Sequence, residues 1–229
     1  MTDYPRWQKQ SLKEALIHRR VVMLTGARQC GKTTLAKSLA SATTNYKTLD
    51  NDLDLQAARS DPHLFLEHAP KNGTLIIDEV QKSPNLIPAI KIVVDNNNKP
   101  GQFLITGSAN IFTIPTVQES LAGRISRVRL RPLSQGEISG SKPTFIDRAF
   151  SQKFVSPKKR HNRNALIESI FRGGFPEAMT LKGKVRRNWY EDYVDALIEH
   201  DVRDVAHIRQ ADVMKNLVRV LAAWSSKFM

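Results

Sequence analysis

The chain has 229 residues, 41% of them hydrophobic, which suffices for a packed core and excludes a wholly disordered protein. Its one cysteine excludes an intramolecular disulfide and a cysteine-rich zinc site, no apolar run approaches the roughly 18 residues that span a bilayer, and the first seven residues lack the apolar core of a signal peptide, so a cytoplasmic protein is expected. A formal charge of +13, from 35 Lys and Arg against 22 Asp and Glu, points to a polyanionic partner, with nucleic acid the leading candidate.

Leu12, Ala15 and Leu16 fall on one face of a helix expected over 7–18. The apolar, partly β-branched run 21–25 reads as a buried parallel strand, and 34–40, with Leu35, Ala36, Leu39 and Ala40 at helical spacing, as a helix. Between them stands Gly26-Ala27-Arg28-Gln29-Cys30-Gly31-Lys32-Thr33, which matches the phosphate-binding loop of nucleoside triphosphatases at every fixed position, with the required strand and helix on its two sides. Triphosphate oxygens are best met by backbone N–H groups turned inward at the start of a helix. Gly26 and Gly31 permit the backbone angles and close approach of such a wrap. Lys32 brings positive charge to the outer phosphates, and the Thr33 hydroxyl is placed for a magnesium ion bridging them. These eight residues and Thr34 are the expected nucleotide contacts. Cys30 occupies a variable position of the loop, so the only thiol is expected to sit against the phosphates, as a small filler in preference to a redox switch.

A strand over 46–50 and short helices over 53–59 and 62–68 follow. The next apolar run, 74–77, ends in Asp78-Glu79. Two carboxylates at the end of a buried strand are costly unless a cation or a water uses them. Asp78 is therefore expected to hold the magnesium shell, and Glu79 to orient or deprotonate the attacking water. A helix over 87–95, a turn over 95–101 and a strand over 102–106 lead into Gly107-Ser108-Ala109-Asn110. Ligands gather at the carboxyl ends of parallel strands, which makes Ser108 the candidate sensor of the γ-phosphate, with Asn110 less favoured and helix capping as the competing role.

A short helix over 117–122 and Gly123-Arg124 precede 126–130, which alternates as an edge strand does. Five strands with intervening helices define an α/β fold: a three-layer P-loop NTPase domain, AAA-like, with a mainly parallel five-stranded sheet, over residues 1–135. Residues 136–163 read as a basic connecting segment, and 164–229 as a small helical region with helices over 164–172, 186–199 and 211–224. Positive charge gathers at Arg124, Arg127, Arg129 and Arg131; at Lys158, Lys159, Arg160 and Arg163; and at Lys182, Lys184, Arg186 and Arg187, where the competing readings are nucleic acid, a merely soluble basic surface or, in the first cluster, an arginine serving the nucleotide. Trp189, Tyr190, Tyr193, Val194, Leu197 and Ile198 read as helical core rather than a base-stacking surface. Leu217, Val218, Leu221 and Trp224 predict an exposed apolar face suited to a second copy or another protein.

Leu24-Thr25-Gly26-Ala27-Arg28-Gln29 with Gly31-Lys32-Thr33-Thr34, Ile76-Ile77-Asp78-Glu79-Val80-Gln81, Leu104-Ile105-Thr106-Gly107-Ser108, Ser120-Leu121-Ala122-Gly123-Arg124, Arg131-Pro132-Leu133-Ser134 and Gly173-Gly174-Phe175-Pro176-Glu177 form an ordered series across most of the chain. Together they resemble a prokaryotic family of AAA-type ATPases whose P-loop domain is followed by the domain of unknown function DUF4143. The resemblance implies an ATP-binding and ATP-hydrolysing core with ATP and Mg2+ as ligands. It implies Lys32, Glu79, Ser108 as sensor and Arg124 as the catalytic set, and Thr33 and Asp78 as metal ligands. Arg124 would be an arginine finger, steadying charge on the transferred phosphoryl group in its own or a neighbouring subunit. Members of that family continue into winged-helix-like and nuclease-like parts, so this chain is expected to be shortened, with an incomplete DUF4143-like region. No Glu-x-Lys follows Asp147, and no nuclease activity is expected. The alternative function is a nucleotide-responsive DNA-binding or scaffold module with negligible hydrolysis; transfer of the γ-phosphate to a small molecule is least favoured, because Asp78-Glu79 with Ser108 favours water as acceptor.

Overall fold

The computed structural model describes residues 4–107, 123–152, 162–202 and 211–225. Strand β1 (Val21–Gly26) is buried at all six positions because it stands in the interior of a sheet covered on both faces. With β2 (Thr44–Thr48), β3 (Thr74–Asp78), β4 (Phe103–Gly107) and β5 (Ile125–Leu130) it forms a five-stranded sheet in the order β2-β3-β4-β1-β5. Every pairing is parallel. The period-2 alternation of a strand sorts the side chains into two cores. Val21, Met23, Leu75, Ile77, Phe103 and Ile105 face one way, against Ala58, Phe65, Leu86, Ile87 and Ile90. Val22, Leu24, Ile76, Leu104, Val128 and Leu130 face the other, against Leu12, Leu35 and Ala36. Truncating a fully buried side chain such as Leu104 to alanine costs about 2–5 kcal/mol, so these two layers hold the sheet in place.

The helices follow their sequence signals. Helix α1 (Gln8–His18) buries Leu12, and α2 (Lys32–Lys37) buries Leu35 and Ala36. The expected helix over 34–40 ends at Lys37 because the chain tightens into i+3 turns, with Leu39 N–H donating to Ala36 O and Ala40 N–H to Lys37 O. Asn51 caps α3 (Asp52–Ser60) by accepting from Leu53 and Asp54 N–H, with Asp52 and Asp54 in its first turn. Asp61 caps α4 (Pro62–Leu66), whose first position is proline. Helix α5 (Leu86–Asn96) buries Leu86, Ile87, Ala89, Ile90 and Val94. The strand expected from Gln102 begins at Phe103, because the Gln102 side chain closes the preceding turn, donating to Asn97 O at 2.7 Å and Lys99 O at 2.8 Å. The alternation expected of β5 holds: Arg127 and Arg129 are exposed, Val128 and Leu130 buried.

The segment expected only to connect is partly helical among the described residues. Ser134 and Glu137 form a reciprocal capping box on the helix Gln135–Ile138, a Ser-x-x-Glu signature that basic composition conceals. A second short helix spans Phe145–Phe150, with Phe145, Ile146 and Phe150 exposed. The helix Arg163–Arg172 is capped by Asn162 and exposes Leu166, Ile170 and Phe171. The basic run Lys158, Lys159 and Arg160 and the helix expected over 117–122 lie outside the described residues.

The chain divides into two compact units, Met1–Pro176 and Glu177–Met229. In the second, the helix Gly183–Ala196 continues as the π-helical turn Leu197–Val202, and the helix Ala211–Trp224 follows. Trp189 stacks on Tyr193 with ring centres 5.4 Å apart and meets Tyr190 edge-on at 5.0 Å, an aromatic contact network along one helix. Lys215 pairs with Asp195 at 3.0 Å. Arg186 does not belong to an exposed basic patch: it is buried and its guanidinium donates to Leu181 O at 2.8 Å. Leu217, Val218, Leu221 and Trp224 are exposed, as the apolar stripe predicts, and so are Val213 and Val220. Among the described residues no helix is long and apolar enough to cross a membrane.

Candidate nucleotide site

Loop 26–33 leaves the carboxyl end of β1 and turns into α2, beside the carboxyl ends of β4 and β5. Its glycines are required by contact and by conformation. A Cβ on Gly26 would stand 2.4 Å from Leu130 O, and Gly31 has φ 97°, in the left-handed region. Gln29 is also left-handed, at φ 58°, so the chain reverses its curvature twice within three residues. Lys32 is only 6% exposed, and its ammonium donates to Gly26 O at 3.2 Å and Ala27 O at 3.0 Å, which holds it inside the curve of the loop.

Cys30 behaves as the filler expected, but not against the phosphates. Its side chain is fully buried in the core under β5, with the thiol donating weakly to Leu130 O at 3.7 Å. Burial raises the thiol pKa above its ordinary value, against the opposing pull of Lys32 and Arg6. The thiol is thus kept protonated and unreactive.

Asp78, at the end of β3, is the centre of the site. It is 1% exposed and accepts three hydroxyl hydrogen bonds: from Thr33 at 2.7 Å, from Tyr46 at 2.9 Å, and a short one from Thr106. Parallel register explains the third, since Ile77 stands beside Ile105 and the next pair along is Asp78 with Thr106. Burial, and then the hydrogen bond to Asp78, push the Tyr46 phenol well above its ordinary pKa, so Tyr46 stays a donor. Lys37 Nζ lies 4.9 Å from the centre of the Tyr46 ring. Thr33 and Asp78 oxygens suit a hard cation such as magnesium, which takes a few oxygen ligands from protein and the rest from phosphates and water. The donor set fits.

Glu79 sits one residue further, left-handed at φ 61°. Its N–H donates to Thr106 Oγ1 at 3.1 Å, and its carboxylate accepts a short hydrogen bond from the Gln81 carboxamide. The carboxamide oxygen of Gln81, Oε1, is buried without a partner. Thr33, Asp78 and Glu79 are therefore brought together under the loop, while Ser108 lies outside the described residues.

Arg124 is not brought there. It precedes β5, and β5 runs parallel to β1 with Ile125 beside Val21 and Leu130 beside Gly26. Six strand steps of roughly 3.3 Å put it about 20 Å from the loop, at the opposite end of the sheet. Its guanidinium forks onto Asp95, Nε to Oδ1 at 2.5 Å and Nη2 to Oδ2 at 3.0 Å. That pairing holds the Asp95 carboxyl below its ordinary range.

Tyr46, Thr106 and Arg6 complete the neighbourhood without having stood out in the sequence. Thr106 had a legible signal, as a polar residue ending the strand next to β3. Tyr46 and Arg6 reach the site over long stretches of chain, and a single sequence does not show such contacts.

Residues 18–139 match the family model of an AAA domain. Residues 163–228 match a domain of unknown function, DUF8612, where DUF4143 was expected. Two mycobacterial proteins, uncharacterized protein Mb2031c of Mycobacterium bovis and uncharacterized protein Rv2008c of Mycobacterium tuberculosis, are each 30% identical over 213 residues, covering 92% of this chain and 42% of theirs. The chain thus spans less than half the length of the curated relatives it matches. Among solved structures, AMPPCP-bound DnaA from Aquifex aeolicus is similar at a TM-score of 0.45 and 12% identity, over 88% of this chain and 68% of that one.

Proposed function

The chain belongs to the AAA domain family, and from that premise we propose that it binds ATP with magnesium between loop 26–33 and Asp78 and hydrolyses it to ADP and phosphate. The observation that carries the reading is the meeting of the Thr33 hydroxyl with the buried Asp78 carboxylate at 2.7 Å, directly after the phosphate loop. Magnesium held there would neutralise charge on the outer phosphates. Loop 26–34 wraps the triphosphate with backbone N–H groups, and Lys32 exchanges its two loop carbonyls for phosphate oxygens. Glu79 leaves the Gln81 carboxamide and accepts the proton of the attacking water. Ser108 senses the γ-phosphate from the segment after β4.

Arg124 contributes to turnover only from a second copy, since its own loop is about 20 Å away by strand rise. Hydrolysis should accordingly rise more steeply than linearly with protein concentration, and Arg124→Ala should flatten that rise. Single-turnover hydrolysis tests the whole proposal. Wild-type protein should convert bound ATP to ADP, and Glu79→Gln should bind ATP with little conversion. Equal conversion by both would reject Glu79 as the base.

Two observations favour a second reading, a nucleotide-responsive DNA-binding module that hydrolyses slowly. Glu79 is engaged by Gln81, and Arg127 and Arg129 stand exposed on one strand. On this reading DNA affinity depends on bound nucleotide and falls steeply as salt rises. DNA affinity that ignores both nucleotide and salt would reject it.

A further inference from the structure

Arg6 lies outside every nucleotide motif, yet its guanidinium is almost fully committed. Nη1 donates to Cys30 O at 2.8 Å, Nη2 to Arg131 O at 2.5 Å, and Nε to Glu137 Oε1 at 3.3 Å. The Arg6 and Glu137 side chains are 9% and 3% exposed. Glu137 also accepts from the Trp7 N–H at 2.9 Å and, through its other oxygen, from the Ser134 N–H at 2.8 Å. The Trp7 indole donates to Ser141 O at 2.9 Å and its ring packs where a Cβ on Gly136 would stand. Three segments distant in sequence, residues 6–7, the loop at Cys30 and the turn 131–137, therefore share one fork of charge-assisted hydrogen bonds.

The contact to Cys30 matters most for the loop. A trans peptide is planar, with C=O and N–H pointing in opposite directions. Drawing the Cys30 carbonyl towards Arg6 turns the Gly31 N–H away from Arg6, and Gly31 has the left-handed backbone that must be held against its own freedom. Arg6 Nη1 stands 3.2 Å from where a Gly31 Cβ would be, so the guanidinium also backs this residue directly.

We infer that Arg6, anchored by Glu137, is a positioning residue of the phosphate loop: it fixes the 30–31 peptide so that the Gly31 N–H faces the bound phosphates. The inference rests on the nucleotide reading of loop 26–33 and names a residue that reading does not contain. It also ties phosphate binding to the arm before α1 and the turn after β5, which must stay in place for the loop to hold its shape.

The test uses the full 229-residue chain and two probes, magnesium ATP and inorganic triphosphate with magnesium, titrated by calorimetry. Arg6→Lys keeps the charge opposite Glu137 but loses the planar fork. It should weaken both probes by the same factor, about tenfold, and raise KM by that factor with kcat changed by less than about twofold. Glu137→Gln should weaken both probes less, and the double variant should bind no worse than Arg6→Lys alone. Wild-type affinity for both probes in folded Arg6→Lys overturns the inference. Hydrogen exchange in the wild type supplies a measurement independent of variant folding: inorganic triphosphate should slow exchange in residues 6–12 together with the loop, and protection confined to the loop overturns it. Lys32→Ala is the control. If it abolishes binding while Arg6→Lys keeps wild-type affinity, only this inference fails; if both bind normally, the nucleotide reading fails.

Discussion

At one end of the sheet Asp78 is 1% exposed and is held by three hydroxyls; at the other, Asp95, with 37% of its side chain exposed, is held by the forked guanidinium of Arg124, with Arg20 at 3.9 Å. Both are aspartates at the ends of regular elements, and both have their oxygens engaged. The difference lies in the charge of the partners. Asp95 is neutralised by its neighbours and joins α5 to the residue before β5, so its chemistry is complete. The partners of Asp78 among the described residues are neutral, and burial among neutral donors leaves a carboxylate best satisfied by a cation. A parallel sheet collects ligands at the end where Asp78 stands.

The comparison breaks most easily at Asp78 itself. Asp78→Asn should lower magnesium-dependent turnover by a factor on the order of a thousand, as expected when the ligand of a charge-stabilising metal is lost. Asp95→Asn should leave turnover unchanged in dilute protein, and steady-state ATPase assays on the two variants decide whether the ends differ as argued. Glu79→Gln comes next, with ATP affinity retained and turnover reduced by roughly a hundredfold or more, the usual contribution of a general base.

How far these two ends could be read from sequence differs as well. The loop, the strand ending in Asp78-Glu79 and the five-strand order of helix and strand were legible because each is a local pattern. The sheet order β2-β3-β4-β1-β5 gives β1 an interior place between β4 and β5, which the unbroken apolar run 21–25 signals. The location of Arg124 was contained in the direction of β5, since a residue before a parallel strand lies at the end away from the ligands, although the family resemblance points to the phosphates. Tyr46 and Arg6 had no local signal, because their roles exist only once β2 stands beside β3 and the turn 131–137 lies beside the loop. The helix Gln135–Ile138 was legible through Ser134 and Glu137, but a segment judged by its overall basic composition hides a capping box.

Smaller perturbations sharpen the contrast. Tyr46→Phe removes one of the three donors to Asp78 without a charge change, and should raise the magnesium concentration for half-maximal turnover by about tenfold, the scale found when a metal ligand loses its hydrogen-bonded support. Measuring ATPase rate against magnesium checks this, with nucleotide affinity in EDTA as the control expected to stay constant. The Asp95 pair should show its character in acid. The carboxyl is held low by Arg124, so its contribution to stability is present above the ordinary carboxylate range and is lost as pH falls through the lowered folded value. Thermal melts of wild type and Asp95→Asn should differ slightly near neutral pH and converge in acid. Finally, Cys30 is expected to react with a thiol reagent near neutral pH only as fast as the core opens, because burial keeps it protonated, and rapid labelling of native protein would show that the loop is not packed as described.

The claim that ties these results together is that loop 26–33 and Asp78 form one magnesium-nucleotide site. Titrating magnesium ATP into wild type and Lys32→Ala by calorimetry tests it most directly. Saturable binding of one nucleotide per chain is expected in the wild type and no detectable binding in Lys32→Ala; equal affinity in the two proteins would rule the shared site out.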